Sequence, residues 1–381
     1  MAVPGFAEFF CLKDRDNFQI NEFEDARRRI LFGDRTVADR IMQILKTALV
    51  QKDNATMLLW GPTGLGKTHL MNNRLAEIEA QFTDVEVKLL LSPGNITSSK
   101  AAFQVMYNEI LETIGKSKVI DLIGQLPTQA ARKGVDWEKD LLWILGQERV
   151  VKLFKRLQFD DKAWDEITAE RDPNVEARIL LAIGYLYKTV LSRYLIIMVD
   201  ETRITDRVED EIAIVTWQNG LETLVSALNK QYLGLILGYS SREIDDLGDN
   251  QIWGYSAFLD KMRRNRILRL QPFDQPAVSA FVREYFDSVL DARCIEAKIA
   301  KLELQNEDNS RLSPETFPFT KEAFAYFLEK ISSVPRARRP RVIIQSMVEL
   351  SGMIYPDSQL ITLSGHQRKI DETVTILSEE R

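Results

Sequence analysis

Cysteine and histidine are scarce in this chain of 381 residues, with two of each. Cys11 and Cys294 lie far apart, so neither a disulfide framework nor a cysteine zinc site is expected, and a reducing cytosol fits. His69 and His366 are too few for a histidine-based metal centre. No apolar run approaches the roughly 20 residues of a bilayer-spanning helix, so no membrane partner is expected. The first eight residues lack a basic start followed by a long apolar core; no secretory signal is read, and the expected location is the cytoplasm. Repeats and low-complexity tracts are missing too. The net charge of −6 argues against a surface that coats nucleic acid throughout, while leaving room for local basic patches at 261–266 and 334–341. A hydrophobic fraction of 45% beside 28% charged residues suits a globular chain of two or three domains, or one large domain with insertions.

What is present is a phosphate-binding loop. Gly61-Pro62-Thr63-Gly64-Leu65-Gly66-Lys67-Thr68 matches GxxxxGK[ST]. An apolar strand is read before it, at 56–60, and a helix after it, from His69. Gly61, Gly64 and Gly66 let the backbone take positive φ and approach an anion closely. Successive N–H groups then form an anion nest, backed by the positive end of the following helix. Lys67 is expected at the β- and γ-phosphates, and the Thr68 hydroxyl on Mg²⁺. The spacing predicts a nucleoside triphosphate site.

A second motif supports the first. Leu195-Ile196-Ile197-Met198-Val199 reads as a central parallel strand and ends in Asp200-Glu201. Ligands bind at that end of such strands. Asp200 is placed to hold Mg²⁺ through its water shell, and Glu201 to polarise the attacking water as general base. Two acids after an apolar strand are also ordinary strand-to-loop punctuation; the P-loop tips the balance toward chemistry.

The chain is read as an N-terminal wrap and lead helix (1–50), a nucleotide-binding core (51–272), a helical lid (273–355) and a tail (356–381). The lead helix falls at 36–49, the second strand at 85–91 and a helix at 99–114. A helical insertion at about 115–194 carries helical periods at 138–157 and 176–194. It is either packing on the core or a partner-facing module. Beyond the acid-tipped strand come a helix at 209–229, a strand at 232–238, a short last strand at 267–270, and helices at 275–290, 321–331 and 341–354.

This order of strand, P-loop, helix, strand, helix, acid-tipped strand, helix, strand and helical bundle resembles the AAA+ ATPases. The stretch from Trp60 to Leu70 is similar to the P-loop of the replication-initiator and origin-recognition branch, and to that of ATPases regulating DNA transposition. The resemblance spans about 35–355, less the insertion. It implies an α/β P-loop fold: a parallel sheet with flanking helices, a helical insertion and a C-terminal helical lid. It implies Mg²⁺-dependent ATP hydrolysis by a homo-oligomer, ring or filament, working on a protein partner, with DNA as a further partner. Ser240 matches the place of the polar sensor at the fourth strand's tip, with Ser241 second; a serine capping the next turn is the plain rival. Arg264 matches the arginine finger, which brings a cation to the transferring phosphoryl group, with Arg263 and Arg266 as rivals. Arg341 matches the lid's phosphate-sensing arginine, with Arg336 second. Initiators usually add a winged-helix DNA reader, and the roughly 26 residues after Tyr355 are too few for one. The resemblance favours a switch on DNA-associated machinery (transposition, replication or phage defence). Its rival is a protein-remodelling or signalling ATPase that grips a partner through the insertion.

Overall fold

Mostly apolar runs pair edge to edge here, interrupted by charge at Glu86 and Lys88 on an edge strand. β1 (Met57–Pro62), β2 (Val85–Leu90), β3 (Tyr194–Val199), β4 (Leu233–Ser241) and β5 (Ile267–Arg269) form one parallel sheet in the order β2-β3-β4-β1-β5. The computed structural model describes residues 5–13, 35–51, 55–90, 102–160, 162–200, 211–228, 232–241, 266–303, 312–355 and 360–379. They divide into two units. One comprises Arg35–Pro62 and Leu70–Leu270 and holds the sheet; the other comprises Met1–Asp34, Thr63–His69 and Gln271–Arg381 and is helical.

In the sheet unit, alternate residues explain the apolar runs. Leu195, Ile197 and Val199 of β3 join Leu233, Leu235 and Leu237 of β4 in the main core. Ile196, Met198 and Ile236, which point the other way, are equally buried. A parallel strand covered on both faces needs no polar alternation.

The sheet unit also contains α2 (Arg35–Gln51) and α3 (Lys67–Gln81), the latter beginning in the turn that counts with the helical unit. α4 (Ala102–Ile114) is followed by the insertion: α5 (Lys116–Lys133), α6 (Trp137–Leu145), α7 (Glu148–Arg156), α8 (Lys162–Thr168) and α9 (Pro173–Leu186), which runs into a π-turn at Tyr187–Leu191. α10 (Glu211–Leu228) follows β3. The insertion shares the sheet's core: α9 packs along α10 and against α4 and β4. The continuous helical period read at 138–157 breaks at Gly146, whose left-handed backbone closes α6 with its N–H on Leu142 O. Ser192, also left-handed, ends the π-turn two residues before β3.

One polar residue sits in this core against expectation. Glu176 on α9 is 1% exposed, and its Oε1 finds no hydrogen-bond donor among the described residues. Burial, then the nearby charges of Glu170 and Asp172, push its carboxyl from 4.5 up to about 8. Between those two values the folded state holds a proton that the unfolded state has released, so stability falls as pH rises from about 4.5 and levels off above about 8. Glu176→Gln is expected to stabilise the fold by about 1–3 kcal/mol at pH 8 and far less at pH 5. Thermal unfolding at both pH values checks this; an offset independent of pH would contradict it.

The helical unit contains α1 (Phe6–Phe10), α11 (Gln275–Val289), α12 (Ala292–Glu303), α13 (Lys321–Ser333), a 3-10 turn at Pro335–Arg338, α14 (Pro340–Ile354) and α15 (Leu363–Glu379). Side chains of Asp274 and Thr320 cap α11 and α13, accepting from the N–H groups of Ala277 and Ala323. Phe281, Phe286, Phe319, Phe324 and Phe327 fill the core between them. The region after Tyr355, read as a tail, carries α15, which packs on α13 and α14 and buries Ile370, Val374 and Leu377.

The cysteines need a correction. They were expected to form no disulfide; Cys11 and Cys294 are bonded, with Cα atoms 5.6 Å apart. The N-terminal segment folds back across the junction of α11 and α12. Lys13 N donates to Val289 O and Asp291 N to Cys11 O, each at 2.8 Å. Lys298 Nζ reaches Glu8 O at 2.7 Å, and Phe6 and Phe9 pack edge-on against Tyr355. Distance along the chain was a poor guide, and the inference from thiols to a reducing compartment lapses. Among the described residues no helix is long and apolar enough to cross a membrane.

Candidate nucleotide site

The carboxyl ends of β1, β4 and β3 gather three of the expected features within the sheet unit. β1 extends two residues past the expected 56–60 and takes in Gly61 and Pro62, which pair with Ser240 and Ser241. Ser240 is therefore a strand residue, 4% exposed, beside the first glycine of the loop. Asp200 directly follows β3; it is 4% exposed, and its N–H donates to Leu90 O at 2.9 Å. Its carboxylate lies across β4 where Gly238 leaves room: a β-carbon there would stand 2.5 Å from Asp200 Oδ1 and 3.2 Å from Met71 Cε. Such a strand edge is where ligands bind to open α/β sheets. Arg266 is buried and leads into β5, where the Arg269 guanidinium lies 4.8 Å from the centre of the Trp60 ring. Glu201, Arg263 and Arg264 lie outside the described residues.

The turn itself, Thr63–His69, counts with the helical unit. Gly64 and Gly66 have φ of +84° and +82°, a conformation that side chains disfavour. Gly61 does not share it; at φ 159° it is nearly extended, as a strand end should be. Leu65 is buried, Lys67 is 5% exposed at the first position of α3, and Thr68 is half-buried beside it.

The start of α14 holds this turn from outside. Arg341 N donates to Gly64 O at 3.2 Å, and Arg339 Nη1 donates to Thr63 O at 3.3 Å. Arg341 is exposed at that helix start, and Arg336 is exposed on the preceding 3-10 turn. Arg341 meets the loop through its main-chain N–H. Arg339 was not singled out from the sequence. The signal was there: an arginine stands at the N-cap, where Ser, Thr, Asp or Asn is usual.

The residues fit an anionic phosphate chain and its metal. Two left-handed glycines leading into a helix that starts with lysine make an anion cradle. A buried carboxylate after the third strand is a donor suited to Mg²⁺ through water.

Comparisons with known proteins bear on the fold and the family. No curated protein matches the chain significantly. Among solved structures it is similar to the ORC2 protein of Aeropyrum pernix in its ADPNP–ADP complexes (TM-score 0.49, 13% identity, covering 97% of this chain and 73% of that one). It is similar also to the ADP form of that protein (TM-score 0.46, 13% identity, the same coverage) and to PCH-2 of C. elegans (TM-score 0.38, 10% identity, covering 94% of this chain and 74% of that one). Likenesses this loose assign no role to any residue. The model of the KAP family P-loop domain matches residues 35–239, which take in the loop, the insertion, Asp200 and most of β4. More than half of the sequence thus falls within that domain, and the chain belongs to the KAP family of P-loop NTPases.

Proposed function

We propose that this protein binds and hydrolyses ATP with Mg²⁺ and works as an oligomeric switch or motor on DNA-associated machinery of transposition, replication or phage defence. The observation that carries the nucleotide reading is the turn Thr63–His69, with left-handed Gly64 and Gly66 opening onto Lys67 at the head of α3. In this reading the turn's N–H groups and Lys67 hold the phosphates. Thr68 and Asp200 hold Mg²⁺, which when bound offsets phosphate charge. Glu201 takes the proton of the attacking water, and Ser240 orients that water. Arg264, from a neighbouring copy, and Arg341 steady charge on the transferring group.

A second reading has its own support. Leu142, Trp143 and Phe159 are exposed on the insertion, at 41%, 53% and 86%, and suit a protein partner gripped there by a remodelling or signalling ATPase.

Phosphate release from ATP, with Mg²⁺ and with chelator, tests the catalytic reading. Wild type should turn over only with Mg²⁺. Glu201→Gln should bind Mg·ATP with near-native affinity while turnover drops about 100-fold or more. Undiminished turnover in that variant would remove the general-base role.

A further inference from the structure

α14 begins in a way that helix physics disfavours. The positive end of a helix favours acids and is destabilised by cations. Here no acid occupies the first turn, and Arg336, Arg338, Arg339 and Arg341 crowd around it. The N-cap itself is Arg339, whose side chain makes no capping bond to its own helix. Local rules broken without local gain usually mark function.

The contacts say where that side chain is used. Arg339 Nη1 donates to Thr63 O at 3.3 Å, and its Cδ lies 3.9 Å from where a β-carbon on Gly64 would stand. One peptide further on, Arg341 N donates to Gly64 O at 3.2 Å. Two successive carbonyls at the tip of the turn are thus held by one helix start. Arg341 Cβ would come within 3.2 Å of a β-carbon on Gly64, so a side chain there would crowd α14 and the tip fits closely because Gly64 lacks one. Fixing both carbonyls fixes the peptide planes that carry the N–H groups an anion needs.

We infer that Arg339 is a positioning residue for the nucleotide: it holds the P-loop tip through Thr63 O in the shape that receives phosphate. The role differs from that of Arg341, whose side chain is assigned to the phosphate itself. The inference rests on the reading of the P-loop as a nucleotide site. Without the guanidinium, the Thr63 peptide is free to rotate, and binding must first order it again.

The test is the affinity of full-length protein for a fluorescent ADP analogue with Mg²⁺, in wild type, Arg339→Ala, Arg339→Lys and Lys67→Ala, beside the melting temperature of each. Arg339→Ala is expected to weaken binding about tenfold and to raise the KM for ATP in step, with melting within about 2 °C of wild type. Arg339→Lys, which still donates to a carbonyl, should recover binding to within about threefold. Native affinity in Arg339→Ala overturns the inference while leaving the nucleotide reading intact, provided Lys67→Ala loses binding. A deficit in Arg339→Ala that comes with a large fall in melting temperature and is not recovered by lysine also overturns it, because the side chain is then only structural. Wild type that binds no nucleotide removes both readings together.

Discussion

Lys67→Ala is expected to bind Mg·ATP about 100-fold more weakly than wild type, a loss near 2.7 kcal/mol. Lys67 is 5% exposed at the first position of α3, behind two left-handed glycines. A charge-assisted hydrogen bond to phosphate from such a sheltered place is among the stronger single contacts a protein makes. Lys67→Met keeps the apolar stem and removes only the charge, so it separates lost binding from lost packing. Calorimetric titration of both variants gives the answer. Native affinity in both, with the fold intact, would end the nucleotide reading.

Gly238→Ala should be nearly as damaging, by a different route. The added methyl would stand 2.5 Å from Asp200 Oδ1 and 3.3 Å from its Cα. Either the carboxylate swings away or β4 shifts against β3, and overpacking of this kind costs about 1–3 kcal/mol. In the first case the variant loses the carboxylate proposed to hold Mg²⁺. Nucleotide affinity with Mg²⁺ should then fall about tenfold, while the weaker affinity measured in chelator stays as it was. Titrations with and without Mg²⁺ distinguish the outcomes. An equal loss in both would mean the fold, not the carboxylate, was disturbed; an unchanged response to Mg²⁺ would remove Asp200 from the metal site.

The features legible in the sequence were those that chemistry or burial leaves little choice about. An anion cradle on a β–turn–α unit demands glycine and lysine at fixed spacing, and residues 61–68 supply them. Strands buried on both faces demand uninterrupted apolar residues, so β3 was read within a residue of its ends. Helix breaks in the insertion were harder. Gly146 looked like one more residue in a helical period, yet its left-handed backbone divides α6 from α7. α15 was missed although Ile370, Val374 and Leu377 recur at helical spacing and are buried. The pairing of Cys11 with Cys294 could not be read, because it depends on how the N-terminal segment crosses α11 and α12. Arg339 was passed over among four nearby arginines although it stands at a helix start where a capping side chain is usual; what singles it out is the Thr63 carbonyl, 276 positions earlier in the chain. Glu201 and Arg264 fall outside the described residues, and their assignments rest on sequence alone.

The bond between Cys11 and Cys294 turns most of the polypeptide into a covalent ring, since every residue between those positions lies on a closed path. The whole sheet, from β1 to β5, is inside it. A single cut by a protease anywhere on that path opens the ring without releasing a fragment, and the nicked molecule keeps its full mass until a reductant parts the two sulfurs.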